Sequence, residues 1–350
     1  MKCSLLIAFS FIFCSVAYGA SSAAVTQALK QFTPELIIVF RMVFGCSFCF
    51  IVMIFRMIFQ KGYATNVRAH FCSGFWPLFH LCVGGLLNLG IPHSLISIAQ
   101  QWIPSASVQL SKPLTPAVSQ ILSHFLLPDE RFTWMKFAAL CCAVVGVVCS
   151  AVPSFLHTDS SNDTIHLAIG YVLLIVAVSL FGVASVYLKY KTPNTDITVS
   201  SLVQTGISFV FDIIWSLIMD GPKKIQSTLV NATWYGWIWP LMLGVLASGV
   251  AVHCFMYLVN NLGAVGANFI PFGQILVGVT LGVAWLHEWA PYKIWEIILS
   301  VIGILFLVMA IVIGFWHTKE PKHSTREGEE EEELHQEEEE ENRHAHLEEI

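Results

Sequence analysis

One stretch of this chain decides the fold, because its plan occurs twice. It runs Ser105-Ala106-Ser107-Val108-Gln109-Leu110-Ser111-Lys112-Pro113 and reaches Glu130 seventeen residues after the proline. The stretch Gly263-Ala264-Val265-Gly266-Ala267-Asn268-Phe269-Ile270-Pro271 reaches Glu288 seventeen residues after its own proline. In both, small residues lead to a proline, and an apolar run then ends in a glutamate. The separation of 158 residues predicts a unit of nearly half the chain that is used twice.

Composition places this repeat in a membrane. The 350 residues are 55% hydrophobic and only 12% charged, whereas a soluble domain is about 25% charged. This balance excludes a soluble globular protein and a nucleic-acid binder, and it leaves membrane lipid as the main partner. The fourteen glutamates of residues 317–350 give that segment a net charge of −10, so we expect a disordered acidic tail.

Apolar runs predict ten membrane-spanning helices. A bilayer core of about 30 Å needs about 20 apolar residues of helix, since backbone polar groups must be paired within the segment. Ten stretches meet this requirement: 3–25, 36–59, 74–99, 104–127, 133–154, 166–188, 198–219, 236–258, 264–287 and 292–316. The first stretch also resembles a signal peptide ending near Ala17-Tyr18-Gly19-Ala20, so residues 1–19 are either a cleaved leader or the first helix.

Five helices per unit make the second unit enter the membrane upside down, because five is odd. We therefore predict an all-α integral membrane protein with a first five-helix repeat (1–154), an exterior loop (155–165), a second repeat (166–316) and the tail (317–350). Such inverted repeats are the design of many secondary transporters.

Charge in the short loops predicts the orientation. With the N-terminus in the cytoplasm, eleven Lys and Arg residues fall on the cytoplasmic side and four on the other side. The sequons at Asn162 and Asn231 fall on that other side, where glycans are attached. We expect both termini to be cytoplasmic and both asparagines to be glycosylation candidates, in a plasma membrane or an endomembrane.

Several short motifs over residues 3–316 resemble the drug/metabolite transporter superfamily, EamA type. The first half carries Pro34 with Arg41, Pro-Ser-Ala-Ser at 104–107, Lys112-Pro113 and Asp-Glu-Arg at 129–131. The second half carries Ala-Ser-Gly-Val-Ala at 247–251, Leu-Gly-Ala at 262–264, Pro271 and Glu288. The sequence departs from the family pattern at Pro128-Asp129 and at His287-Glu288-Trp289, which leaves the subfamily open.

This resemblance implies ten helices around a central cavity between the two halves. The third, fourth, eighth and ninth helices would line most of the cavity. The fifth and tenth helices would lie outside or mediate contact between two copies in a homodimer.

Three ionisable residues fall inside predicted spans, where charge is costly and usually faces a cavity: Arg41, Lys112 and Asp212. Lys112 would hold a carboxylate or phosphate of a solute, or would be paired with a fixed acid or helix carbonyls. Arg41 would make a structural pair or reach the interface, and Asp212 would neutralise a cation or take up a proton for coupled transport.

Neutral polar residues cluster in the same predicted helices. Solute contact and interhelical hydrogen bonding are both open for five of them: Asn88, Gln109, His253, Asn268 and Gln274. Pro113 and Pro271 predict helix kinks. Glu130 and Glu288 precede helices five and ten, where a carboxylate meets the positive helix end, so both are interpreted as structural.

The sequence lacks nucleotide-binding and hydrolase motifs, and no Cys/His spacing supports a metal site. We therefore expect no enzyme activity, no cofactor and no metal. The prediction is a secondary transporter that moves a small polar or amphipathic metabolite, anionic or zwitterionic, by alternating access. The alternative is a polytopic scaffold or receptor that acts through its acidic tail.

Overall fold

The computed structural model describes residues 2–72, 74–126, 134–157, 161–192, 195–255, 257–258 and 270–316. Helix is the regular secondary structure throughout these residues. Three features named above lie outside them: Glu130, Asn268 and the tail 317–350.

The first half of the chain contains eight helices, of which α4 runs into α5 through a π-helical segment at Leu86–Gly90. Their bounds are α1 Lys2–Ala28, α2 Pro34–Phe59, α3 Tyr63–Cys72, α4 Phe75–Gly85, α5 Ile91–Ala99, α6 Ser105–Ser111, α7 Leu114–Leu126 and α8 Trp134–Leu156.

The second half contains two more π-helical segments, at Leu243–Val250 and Leu281–Trp285, and a 3₁₀ turn at Trp234–Trp237. The helices are α9 Ser161–Lys191, α10 Ile197–Met219, α11 Gly221–Asn231, α12 Ile238–Met242, α13 at 251–255, α14 Ile270–Thr280 and α15 Ile294–Trp316.

Among the described residues, seven helices are long and apolar enough to cross a membrane, and two shorter apolar helices lie at Gly273–Trp285 and Ile294–Ala310. The chain is therefore a multi-pass membrane protein. Every predicted stretch contains helix, but the fourth is divided into α6 and α7 at Lys112 and Pro113. Ten crossings remain a prediction.

Long helices pair in a regular way. α2 packs along α10, α8 packs along α15, α1 packs along α14, and α7 packs along α9. If the two predicted repeats are exchanged, α1 takes the position of α9 and α14 takes that of α7, so the pair α1–α14 becomes the pair α9–α7. Each of the pairs α2–α10 and α8–α15 becomes the same pair again. These pairs are compatible with two related units, and the inverted repeat stays a prediction.

Glycine allows the close approach of α8 and α15. A Cβ atom at Gly146 would lie 2.8 Å from the carbonyl oxygen of Gly303, and a Cβ at Gly303 would lie 2.8 Å from the Gly146 carbonyl. Small residues at helix crossings are the usual means of tight packing in membranes, where lipid supplies no hydrophobic drive between helices. The opposite faces of these helices, which include Val148 and Leu305, are exposed and suit lipid contact.

Side chains fasten the α2–α10 pair at both ends. At one end the Arg56 guanidinium lies 3.1 Å from Asp196, which precedes α10. At the other end Thr33, which caps α2, donates a hydrogen bond of 2.6 Å to Asp220, which follows α10. The two helices are antiparallel, so each pair joins the start of one helix to the end of the other.

Two helices lie between predicted spans, in segments for which the apolar runs made no prediction. α3 buries Tyr63 and Val67 against Met53 and Val199, whereas α11 has no buried residue. Next to the exterior loop predicted at 155–165, α8 extends to Leu156 and α9 begins at Ser161. A search for apolar runs does not find α3 and α11, because they are short helices with many polar residues.

Candidate functional site

Lys112 lies where the fourth predicted span is interrupted. α6 ends at Ser111, Lys112 and Pro113 form a turn, and α7 begins at Leu114. Pro113 has no backbone N–H to continue the helix, which explains the interruption. The Lys112 ammonium lies 4.6 Å from the centre of the Phe181 ring on α9, and it forms no hydrogen bond or ion pair with the residues that the structure describes.

Arg41 lies in the interior of α2 with 6% of its surface exposed. Its Nε donates a hydrogen bond of 2.9 Å to the Ser248 hydroxyl, which belongs to the π-helical segment Leu243–Val250. Arg41 is within electrostatic range of both Lys112 and Asp212. Neither snorkelling nor an ion pair therefore accounts for this guanidinium within the described residues.

His93, on the third predicted span, lies near both cations. Its ring lies 5.2 Å from the Phe181 ring, and its Nδ1 is 2.9 Å from the Leu89 carbonyl oxygen in the π-helical segment Leu86–Gly90. The charges of Arg41 and Lys112 both act on it. The Phe181 ring thus contacts both an imidazole and an ammonium. Phe181 could not be singled out from the sequence, because α9 carries aromatic and aliphatic residues all round its surface.

Asp212 on α10 is within electrostatic range of Arg41 and is 1% exposed. Its Oδ1 accepts a hydrogen bond of 3.0 Å from the Ser94 hydroxyl, and its Oδ2 is enclosed with no partner among the described residues. No ion pair within 4 Å joins Arg41, Lys112 or Asp212 in that part of the chain. We call Arg41, Lys112 and Asp212 the interior charge cluster.

Gln109 and Gln274 are brought together, but they bind each other. The Gln274 side-chain amide donates a 3.1 Å hydrogen bond to the side-chain oxygen Oε1 of Gln109. The Gln109 amide nitrogen donates to the carbonyls of Tyr18 and Gly19 and to the Ser22 hydroxyl, at 2.8 to 3.1 Å. Gln109 is fully buried, so its hydrogen bonds join α6 to α1 and α14.

Asn88 and His253 also have protein partners. The Asn88 side-chain amide donates to the side-chain oxygen Oε1 of Gln204 on α10 at 3.0 Å. His253 has its Nδ1 3.0 Å from the Gly249 carbonyl oxygen, while its Nε2 is buried without a partner among the described residues. Asn268 cannot be placed because it lies outside the described residues.

Glu288 stabilises a different helix from the one that the sequence predicted. Its two carboxylate oxygens accept hydrogen bonds from the backbone amides of Ser105 and Ala106, at 2.7 and 2.9 Å, so it caps α6 rather than the tenth predicted helix. Glu296 performs the expected task at α15, accepting from the Lys293 amide at 2.7 Å. The chain reverses between α14 and α15, which carries Glu288 towards the fourth span. Glu130 lies outside the described residues.

The remaining candidates lie at helix ends. Pro271 is the second residue of α14 as described, so the structure does not report a kink there. Asn162 and Asn231 are both exposed, near the start of α9 and at the end of α11 respectively. No group of three His, Cys, Asp or Glu residues suited to a metal ion occurs in the described ranges.

A cleft of about 350 Å³ lies at one end of the bundle, away from the interior charge cluster. Aromatic and acidic side chains line it, among them Trp102, His157, His166, Glu288 and Tyr292. His157 bonds Glu296 at 2.7 Å and stacks on Tyr292, and His166 stacks on Trp102. Of the site residues predicted from the sequence only Glu288 lines this cleft, because its lining comes from parts of the chain that are far apart in sequence.

Comparison with known proteins supports the resemblance seen in the motifs. Residues 5–152 match the model of the EamA-like transporter family. A solved structure titled only "Crystal structure of protein" is similar over 90% of this chain and 97% of its own, with 16% identity and a TM-score of 0.58. No curated protein matches the chain.

The fold is that of a polytopic membrane protein, and the matched segment resembles a family of transporters. The match covers fewer than half of the 350 residues, and over that segment the chain resembles EamA-like transporters, as the motifs predicted. Transport, rather than catalysis, is the activity that this family indicates.

Proposed function

We propose that this protein is a secondary transporter whose interior charge cluster binds the anionic group of a small polar or amphipathic metabolite. Lys112 and Arg41 would contact that group directly. The observation that carries the proposal is that two cationic side chains lie in the interior without an ion pair to any described carboxylate.

Electrostatics favours an anion at this place. Unpaired charge inside a membrane protein costs several kcal/mol, so such residues normally face a partner or a wet cavity. The cluster has two cations and one carboxylate, and the carboxylate is hydrogen-bonded to Ser94 instead of to either cation. A solute carboxylate or phosphate would supply the missing partner. The ring of Phe181 beside Lys112 would suit an apolar part of the same solute.

Helix irregularities support a moving site. π-helical segments interrupt the third, eighth and ninth predicted spans, and the turn at Lys112 and Pro113 interrupts the fourth. Such interruptions free backbone groups and are frequent at functional sites. We infer that repeats 1–154 and 166–316 rock about these helices by alternating access, with both termini in the cytoplasm. Homodimer formation is part of the same proposal.

Uptake into liposomes tests the proposal. Purified protein is reconstituted and screened with labelled amino acids, nucleosides, nucleotide sugars and organic acids. We expect saturable uptake of one anionic or zwitterionic class. Lys112→Ala should lower that uptake at least about tenfold, the loss expected for about 1.4 kcal/mol of binding.

Lys61→Ala is the matched control, because Lys61 is exposed beyond the end of α2 and should leave uptake unchanged. Absence of saturable uptake in the whole panel would overturn the transport proposal. Uptake that Lys112→Ala leaves unchanged would remove Lys112 from the site, and saturable uptake of a purely cationic solute would refute the preference for anions.

A further inference from the structure

We propose that Asp212 is a proton-binding residue, whose carboxyl group carries a proton in the conformation described here and couples solute movement to proton movement. This inference rests on the proposed transport function and assigns its coupling ion. It comes from the surroundings of one buried carboxyl group.

The two oxygens of Asp212 differ in their surroundings. Oδ1 accepts a hydrogen bond of 3.0 Å from the Ser94 hydroxyl on α5. Oδ2 is completely enclosed and has no hydrogen-bond partner among the described residues. An ionised carboxylate has about four acceptor sites, and burial without partners penalises the charged form strongly. A proton on Oδ2 removes the charge and leaves Oδ1 as the carbonyl oxygen that Ser94 needs.

The charged neighbours do not replace that proton. α10 packs against α2, against the helix formed by α4 and α5, and against α11. α2 contributes Arg41, which is within electrostatic range but donates its Nε hydrogen bond to Ser248. On α5, His93 faces Phe181. On α11, Lys224 is bound to Asp220 at 2.7 Å, beyond the far end of α10.

Opening of the interior to water provides the way for the proton to leave. The proton passes from Oδ2 to a water molecule, leaving a carboxylate and a hydronium ion, with no change in oxidation state. The new carboxylate then competes with the solute anion for Arg41. Solute and proton therefore bind together and leave together, which is symport.

Infrared difference spectroscopy tests the protonation without any solute. Purified wild-type protein should show the carbonyl band of a buried protonated carboxylic acid at neutral pH, and Asp212→Asn should lack it. Asparagine has the size of the protonated acid, so this variant should fold. Asp196→Asn is the matched control, because Asp196 is paired with Arg56 and should keep the band. The proposal is overturned if Asp212→Asn keeps this carbonyl band, or if the wild type does not show it.

Transport in liposomes tests the coupling. A pH gradient should drive uptake of the solute class found in the screen above, and Asp212→Asn should lower the gradient-driven rate at least tenfold while it retains exchange of labelled for unlabelled solute. Saturable uptake that ignores the gradient in the wild type overturns proton coupling but leaves the proposed function intact. No saturable uptake at all would instead refute the proposed function, and the infrared result would then stand on its own.

Discussion

Gln109 illustrates what a single polar side chain does inside this bundle. Its amide nitrogen donates to α1 and its carbonyl oxygen accepts from Gln274 on α14, so one fully buried residue joins three helices. Hydrogen bonds between membrane helices are worth about 0.6 kcal/mol on average and up to about 1.7 kcal/mol. The residue is therefore better suited to holding α1 in place than to contacting a solute.

Replacing Gln109 by leucine should destabilise the protein. The change removes the acceptor of the Gln274 side-chain amide and the hydrogen bonds that join α6 to α1, and an unsatisfied buried group costs roughly 1 to 3 kcal/mol. We expect a lower thermal unfolding midpoint for the purified protein in detergent. Gln101→Leu is the control, since Gln101 is exposed and bonds only the Ile98 carbonyl in its own turn. Equal midpoints for the two variants would contradict the proposed role of Gln109.

The sequence identified the charged interior residues but not their contacts. Arg41, Lys112 and Asp212 stand out because ionisable residues are rare inside spans. Ser94, Phe181 and Ser248 resemble many other serines and phenylalanines in apolar runs, and their proximity depends on helix rotation and crossing. A period of 3.6 residues gives the face of one helix, but it does not give the neighbour that this face meets.

Helix ends, at the next scale, carry the strongest polar contacts outside the interior. Asp196 accepts from the backbone amides of Thr198 and Val199 and so caps α10. It also accepts from Arg56 and from Tyr63 on α3. Burial alone would raise the pKa of Asp196, but the hydrogen bonds from Tyr63 and Val199 and the charge of Arg56 outweigh burial and lower that pKa below its usual value.

This lowered pKa predicts the pH dependence of an Asp196→Asn variant. A carboxyl group with a depressed pKa in the folded state stabilises the protein above its unfolded pKa of about 3.9 and loses that contribution as the pH falls through the folded pKa. Asparagine keeps the cap but not the ion pair, so the variant should be less stable by roughly 0.5 to 1 kcal/mol at neutral pH.

Thermal unfolding in detergent across the acidic range measures this difference, which should shrink below about pH 4. Asp196→Ala serves for comparison, because it also removes the cap and should cost about 1 kcal/mol more at every pH. A difference between the wild type and Asp196→Asn that grows on acidification would contradict the assignment.

Elements were easier to predict than their irregularities. The ten apolar stretches all contain helix, because hydrocarbon length and backbone pairing set a simple requirement. The helices α3 and α11 were missed because they are short and polar. The three π-helical segments were missed because no residue type specifies them, although Pro92 follows the first of them closely. The cap of α6 by Glu288 was missed because it bridges residues far apart in the chain.

For the whole molecule, structural similarity to a known protein extends over more of the chain than the family sequence match does. The family match ends at residue 152, whereas the structural similarity covers 90% of the chain at 16% identity. A membrane bundle needs apolar faces and small residues at crossings, and many sequences satisfy those needs. The identity of a solute depends on a few side chains, so neither likeness determines it.

Orientation in the membrane can be tested at this scale through glycosylation. Asn162 is exposed near the start of α9 and should carry a glycan if that end of the bundle faces away from the cytoplasm. In a eukaryotic cell, treatment with an endoglycosidase should shift the wild type on a gel, and Asn162→Gln should abolish or reduce that shift. Asn231→Gln is the companion variant, because Asn231 lies only three residues before Trp234. A wild type that never shifts would argue against the orientation.

The α2–α10 pair is pinned at its two tips, by Arg56 with Asp196 and by Thr33 with Asp220. Two contacts of this kind resist sliding of the helices along each other, but they allow the helices to separate at one end while the other end stays in contact. If the bundle rocks, the two contacts would break one at a time, and the interior would then open to one side of the membrane at a time.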